Sequence, residues 1–265
     1  MISDSEIVNM YSSGLSTYRI SANTGIPKST VLKRLRKIGT KMRDLSDRVR
    51  RLHFNHAFFS RFSVETCYWA GMLAADGNIS ATQHPKISLG LKNSDIGHLE
   101  KFSKALEFDG RIYRYDRQSS IVLTSDYMAY DLWKMFGIGP KKSLTIQPPD
   151  RMPVEFAAHF IRGYIDGDGS FLRTRPQLAI LGTESMMTWM RNILIPIGGK
   201  EPSVCRKNKI FTVTFGGKFQ VVKIAEWLYA DSSEAIRLDR KFEIARKYID
   251  VARIESGKMT TCSWR

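Results

Sequence analysis

The chain has 265 residues, enough for one large domain or two smaller ones, and at 43% hydrophobic it can bury a core, which excludes a disordered tail. Lysine and arginine outnumber aspartate and glutamate by 41 to 26, a formal net charge of +15. Such an excess points to a polyanionic partner, nucleic acid or less often an acidic membrane surface. No apolar run approaches the ~18 residues of a membrane span, the opening Met-Ile-Ser-Asp-Ser-Glu lacks a signal-peptide pattern, and Cys67, Cys205 and Cys262 have neither zinc nor disulfide spacing. An intracellular, reducing location and no membrane partner are the expectation.

Residues 1–43 read as three short helices. Ser3 and Glu6 form a capping-box pattern ahead of Ile7, Val8 and Met10, and Ser12-Ser13-Gly14 ends that helix. A second runs from about Thr17 to Thr24, and Gly25-Ile26-Pro27 is a tight turn. The third starts near Lys28, carries Val31, Leu32 and Leu35 on one face, and ends at Gly39. The arrangement resembles a helix-turn-helix of the kind found in resolvases and small regulators. In that motif the N-terminal residues of the last helix reach base edges in the major groove. The resemblance makes Lys28, Ser29, Thr30, Lys33, Arg34 and Arg36 the expected DNA contacts.

Residues 44–62 are expected to be a basic linker. Between residues 28 and 62 eleven lysines and arginines face only Asp44 and Asp47. Arg43, Arg50 and Arg51 are expected to track phosphates, because the run joins two suspected DNA-binding parts. Leu52, Phe54, Phe58, Phe59 and Phe62 are expected to dock the linker's end onto the main domain.

From residue 63 the chain says one thing twice, over 63–150 and 151–265. Each half opens with an apolar helix, at about 64–75 and about 154–166, that runs into an acidic, glycine-flanked turn. Gly71 matches Gly163, Asp76 matches Asp168 and Gly77 matches Gly169, all at an offset of 92 residues. In the first half strand-like Asn78–Thr82 and His84–Lys92 come next, then a helix at about Ile96–Leu106, a hairpin of Gly110–Tyr115 and Ser120–Thr124, and a helix at about Tyr127–Phe136. The second half repeats this with strands at Ser170–Arg173 and Gln177–Leu181, a helix at Glu184–Leu194, a hairpin of Ser203–Arg206 and Ile210–Phe215, and a helix at Lys218–Tyr229. A last helix or loop closes each half, at Lys141–Leu144 and Glu234–Ile249. The fold class expected is α+β: two pseudo-symmetric αββαββα units forming a saddle-shaped antiparallel sheet, preceded by a small all-α helix-turn-helix domain.

Alternation gives that sheet two faces. Ile87, Leu89 and Leu91 point one way, Lys86, Ser88 and Lys92 the other. In the second half Arg173, Arg175 and Gln177 share a face opposite Leu172, Thr174 and Leu178. A side rich in Arg, Lys and Gln suits base edges in a major groove, so Lys86, Lys92, Arg173, Arg175 and Gln177 are expected DNA contacts.

The opening helices carry the chemistry. Gly71 and Gly163 let two backbones approach closely, which brings Asp76 and Asp168 into one site. Two neighbouring carboxylates at helix C-termini repel each other and attract cations. Carboxylate, carbonyl and water are hard oxygen ligands that suit Mg²⁺. Asp166 matches Ala74, so it has no place in a symmetric reaction and is read as capping or packing.

The nine-residue stretches Trp69-Ala-Gly-Met-Leu-Ala-Ala-Asp-Gly77 and Ile161-Arg-Gly-Tyr-Ile-Asp-Gly-Asp-Gly169 resemble the signature of the LAGLIDADG homing endonucleases, over about residues 60–250. They depart from it at Ala74, where the signature is usually acidic, and at Arg162, where it is usually small. The resemblance implies a single-chain, monomeric nuclease that hydrolyses both strands of double-stranded DNA at a long, partly asymmetric target, leaving short 3′ overhangs. It implies Asp76 and Asp168 as catalytic metal ligands, with the carbonyls of Ala75 and Gly167 as further ligands. Two or three Mg²⁺ ions per site are implied, with Mn²⁺ able to substitute. It also implies a basic residue at a strand end that organises water, for which Lys92 and Lys218 are the candidates. Two other readings stay open: an intron RNA maturase, a role the same scaffold also takes, and a DNA-binding regulator with a relict nuclease domain.

Overall fold

The structure is a computed structural model that describes residues 2–13, 15–40, 42 and 53–257. The chain divides into two compact units, residues 1–52 and 53–265.

In the first unit the three expected helices form where the cap residues put them: α1 (Asp4–Ser12), α2 (Thr17–Thr24) and α3 (Lys28–Lys37). The Ser3 side chain accepts from the Glu6 N–H while Glu6 reaches back to the Ser3 N–H, and Ser16 caps α2 through the Arg19 N–H. Gly25 ends α2 at φ +70°, a left-handed position that favours glycine. Ile7, Tyr11, Ile20, Val31 and Leu35 close a small core between the helices.

The second unit contains both halves. The first runs α4 (Val64–Asp76), β1 (Gly77–Ile79), β2 (Lys86–Lys92), α5 (Ile96–Ala105), β3 (Tyr113–Arg114), β4 (Gln118–Thr124) and α6 (Asp126–Phe136). The second runs α7 (Ala157–Asp168), β5 (Gly169–Phe171), β6 (Gln177–Gly182), α8 (Glu184–Gly198), β7 (Val204–Lys207), β8 (Ile210–Gly216) and α9 (Lys218–Tyr229), and then α10 (Asp239–Glu255). Each half is αββαββα, as the sequence predicts. The antiparallel surface is built as two four-stranded sheets, in the orders β1-β2-β4-β3 and β5-β6-β8-β7. Their registers match: Lys86 faces Thr124 in one and Gln177 faces Gly216 in the other.

Helix α5, with Leu99 and Phe102, packs on the first sheet, and α8 and α9, with Met187, Met190, Val221 and Ile224, pack on the second; Met128 and Leu132 of α6 are buried as well. Phe59 and Phe62 meet Phe136 edge-on, so residues 53–62 pack against the first half; Leu52 lies outside the described residues. Helix α8 runs four residues past the expected end at Leu194, to Gly198, with Pro196 in its last turn, where it forfeits one backbone N–H bond. Two strand expectations need correction. β1 and β5 are only three residues long, and residues 172–176 form a turn. Arg173 and Arg175 therefore stand on an exposed turn and share no strand face with Gln177, which begins β6 half-buried.

Helices α4 and α7 form the centre. A Cβ on Gly71 would overlap the Phe160 carbonyl, and one on Gly163 would overlap the Tyr68 carbonyl. Those two clashes are related by the same 92-residue offset, so the helices cross about a local two-fold axis. Only glycine permits this approach, and it draws the two C-terminal ends together.

Candidate functional site

Both central helices end in the same way. The Gly77 and Gly169 N–H groups donate to Leu73 O and Ile165 O, and the chain turns directly into β1 and β5. A Cβ at either glycine would strike the helix's own last turn. Asp76 and Asp168 are the final helical residues, placed where the negative ends of two helix dipoles converge. A Cβ on Gly167 would overlap the Ala75 Cβ and press on the Asp76 carboxylate, so the two ends are in contact. Neither helix has a basic residue in its last turn.

Two buried lysines supply the missing positive charge. Lys142, in the 3₁₀ turn Lys142–Leu144 after α6, donates from Nζ to Ala74 O and Ala75 O at 2.7 and 2.9 Å. Lys241, in the first turn of α10, donates to Ile165 O, Asp166 O, Gly167 O and Gly169 O at 2.7–3.0 Å. Each ammonium thus caps the motif helix of its own half.

An open cleft of about 770 Å³ lies between the halves, and its lining includes Asp76, Lys92, Arg117, Gly167, Arg240 and Lys241. The cleft joins the carboxylate of one half to the helix end and lysine of the other. Asp76 opens onto it and Asp168 is half-buried. Burial, and then repulsion from Asp76, push the Asp168 carboxyl up to about 6, with Lys142 and Lys241 opposing. Asp76 is raised too: packed protein behind it disfavours its charge despite the open side. Burial lowers Lys241 to about 8, against the pull of Asp166, Asp76 and Asp168, and lowers Lys142 against that of Asp168 and Asp76.

The departures from motif symmetry converge on one buried network. Asp166 accepts from the Tyr68 hydroxyl (2.8 Å), the Leu238 N–H (2.8 Å) and the Tyr229 hydroxyl (3.3 Å). Tyr68, its proton committed to Asp166, takes a hydrogen bond from His98 Nε2 at 2.7 Å. Arg162 lies over the Tyr68 ring and donates to Ile236 O and Leu228 O. The packing role read for Asp166 fits this placement.

The other predicted residues divide. Lys92 is exposed and lines the cleft beside Asp76; Lys86 is exposed on the same face of β2. Lys218 does not join the carboxylates. It opens α9 and pairs with Glu255 at the far end of α10. That is fourteen residues beyond Lys241, roughly 21 Å along a helix. In the first unit Lys28, Ser29, Thr30, Lys33 and Arg36 are exposed. Arg34 is partly committed, because its guanidinium donates to Ile2 O (3.0 Å) and pairs with Asp4 (3.3 Å), bracing α3 against α1. Arg43, Arg50 and Arg51 lie outside the described residues. Lys142 and Lys241 escaped sequence reading because they come 66 and 73 residues after their aspartates, with no shared spacing. The available signal was the uncapped, base-free ends of both motif helices.

Among the described residues no cluster of three or more His, Cys, Asp or Glu side chains forms a metal site by itself. Two carboxylates with adjacent carbonyls nevertheless make an all-oxygen donor set. Mg²⁺ takes such sets, completing its shell with water and substrate phosphate. No helix among the described residues is long and apolar enough to cross a membrane.

No protein-family model matches the sequence, and no curated protein matches it. Solved structures do. The LAGLIDADG homing endonuclease I-GzeII, solved in complex with its DNA target, superposes with a TM-score of 0.52 at 12% identity, covering 76% of this chain and 94% of its own. A mutant of I-SmaMI gives 0.52 at 11% identity, covering 74% and 93%. With the paired central helices, the duplicated αββαββα units and the matching sheets already described, the chain has the LAGLIDADG homing endonuclease fold.

Proposed function

We propose that the chain is a divalent-metal-dependent endonuclease that cuts both strands of double-stranded DNA at a specific site. One observation carries the reading: two carboxylates meet at paired helix ends, each end held by a buried lysine, over a cleft between two sheets. Asp76 and Asp168 would be the donors for Mg²⁺; the carbonyl oxygens of Ala75 and Gly167 accept from Lys142 and Lys241 and would reach the ion only through their second lone pairs. When bound, the metal supplies an activated water and relieves charge on the leaving oxygen. Lys142 and Lys241 fix both helix ends and place an ammonium beside each carboxylate, where a phosphodiester becoming more negative is stabilised. Of the two residues expected to organise water, Lys218 pairs with Glu255 instead, and Lys92, on the cleft beside Asp76, keeps that role in this reading. The two-fold relation of the carboxylates suits one cut per strand by a single monomeric chain, leaving short 3′ overhangs.

Lys86 and Lys92 on β2, Arg173 and Arg175 on the β5–β6 turn, and Gln177 are proposed to meet the duplex. Lys28, Ser29, Thr30, Lys33 and Arg36 on α3 would read a flanking segment of a long target, as the last helix of a helix-turn-helix does. The test uses a plasmid carrying the DNA that flanks the gene, joined without the gene. Linear product with Mg²⁺ or Mn²⁺, lost in Asp76→Asn and Asp168→Asn, is expected. The second reading, a DNA-binding regulator, is favoured by the first unit, whose α3 is basic and exposed. Binding to that DNA without cleavage under any divalent ion would establish it instead.

A further inference from the structure

The two halves resemble each other up to their last helix, and then differ. After α6 the chain makes one 3₁₀ turn, and Lys141, directly before Lys142, sits at φ +57°. After α9 it enters α10, a helix of 17 residues, and Arg240 directly precedes Lys241. Arg240 is exposed and lines the catalytic cleft. It also lines a second groove of about 200 Å³, together with Arg173, Glu243, Ile244, Lys247 and Tyr248. Positions 240, 244 and 247 fall on one face of a helix. Cleft and groove share Arg240 and Ile244, so one surface continues from Asp76 along α10 to Lys247.

Arg240 is set in place from the opposite half. Its Nε lies 2.9 Å from both Asp95 carboxylate oxygens and its Nη2 lies 2.9 Å from Oδ2, while Asp95 itself is buried. One edge of the guanidinium is therefore fixed, and Nη1 has no hydrogen-bond partner among the described residues. Arginine held this way presents planar donors in a fixed direction, which suits a phosphate. Arg173 is brought to the same groove by its turn, which α10 braces: the Tyr248 hydroxyl donates to Arg175 O at 2.8 Å. Arg173 and Lys247 are both exposed.

We propose that Arg240, Arg173 and Lys247 form a phosphate track for the strand leaving the Asp76 cleft, on one side of the pseudo-two-fold axis only. The ligand is the DNA backbone, read without sequence preference. Asp95 acts as a positioning residue for Arg240. The inference rests on the DNA reading above and adds to it that the two flanks of the cut are held unequally.

Binding of the full-length chain to a duplex of the gene's joined flanking DNA, in EDTA to prevent cleavage, tests the track. Arg240→Gln would strand a buried carboxylate, so the decisive variant is Arg173→Gln with Lys247→Gln, both on the surface. The slope of log affinity against log salt should become shallower by about 2, close to 0.9 per phosphate lost. Phosphate-ethylation interference should weaken on one flank of the cut and remain on the other. A wild-type slope, or interference weakened equally on both flanks, overturns the track. Wild-type protein that fails to bind the duplex overturns the underlying reading instead. Thermal melting confirms that the variant folds. Asp95→Asn, which keeps the shape but loosens Arg240, should blur interference at the single phosphate nearest the cleft and leave the other flank unchanged.

Discussion

The two motif helices are twins at their ends and strangers in their middles. At the ends Asp76 and Asp168, Gly77 and Gly169, and the capping lysines Lys142 and Lys241 do the same work on both sides. In the middle Ala70 is the counterpart of Arg162, and Ala74 that of Asp166, so the second helix supplies the charged members of a buried polar network to which the first helix gives only the Tyr68 hydroxyl, beside Tyr229 and His98. Symmetry is retained at the two carboxylate ends and abandoned where the halves need only recognise each other. A buried network with unlike members on its two faces favours first half on second half over the second half on a copy of itself, because Asp166 would keep Tyr229 and Leu238 but lose the Tyr68 hydroxyl, whose counterpart in the second half is Phe160.

The ends should be the most sensitive. Asp76→Asn and Asp168→Asn should each lower the yield of linear product at least about a hundredfold, since even outer-shell partners of metal ligands cost 10–100-fold. Both should melt near the wild type. A single variant with undiminished double-strand cleavage would break the pairing of the two ends.

The middle should reveal itself through stability. Asp166→Ala leaves two buried hydroxyls and the Leu238 N–H without an acceptor, and removes the anion nearest Arg162 and Lys241. A loss of about 4 kcal/mol is expected in denaturant titration. Ala74→Asp, which restores the sequence symmetry, should also destabilise, because no partners await it. A neutral Ala74→Asp would show that the network's one-sidedness carries no energetic meaning.

Lysine truncation sharpens the comparison between the ends. Lys241→Met uncovers four carbonyls and Lys142→Met two, so losses of about 3 and about 1.5 kcal/mol are expected, with the larger on the second half. Equal losses would mean that the helix ends, and not the number of bonds, set the cost.

The most gradual effect is a pH slope. Burial lowers the His98 pKa to about 3, so the unfolded chain takes up a proton below about pH 6.5 that the folded chain refuses. The stability it contributes is complete above pH 6.5 and falls with pH toward 3, by up to about 1.4 kcal/mol per unit. Asp168, raised to about 6, works in the opposite direction over part of that window. The measurement is therefore the difference between wild type and His98→Gln, whose amide still donates to Tyr68. Stability of the variant should depend less on acid between pH 6.5 and 5; parallel curves would show that His98 is protonated in the folded chain.

Much of this was legible in the residues because it is local. The 3.6-residue pattern of α1 to α9, the alternation of β2 and the repeated Asp-Gly endings each depend on neighbours a few positions apart. Arg173 and Arg175 misled because alternation over five residues does not distinguish a strand from a turn that exposes everything. Lys218 misled because a basic residue at a strand end looks the same whether or not its partner is Glu255, 37 residues later.

By itself the sequence determined the duplicated αββαββα plan, the glycine-mediated approach of two helices and the pair of carboxylates at their ends, because periodicity and the missing Cβ act at short range. The tertiary structure alone decided that Lys142 and Lys241 hold those ends, that Asp166 closes a network with Tyr68 and Tyr229, and that Asp95 fixes the guanidinium of Arg240 from the opposite half. Each of these joins residues more than 60 positions apart. A charge seeking a partner in a low-dielectric interior is indifferent to sequence distance, so its partner is fixed only once the halves have packed.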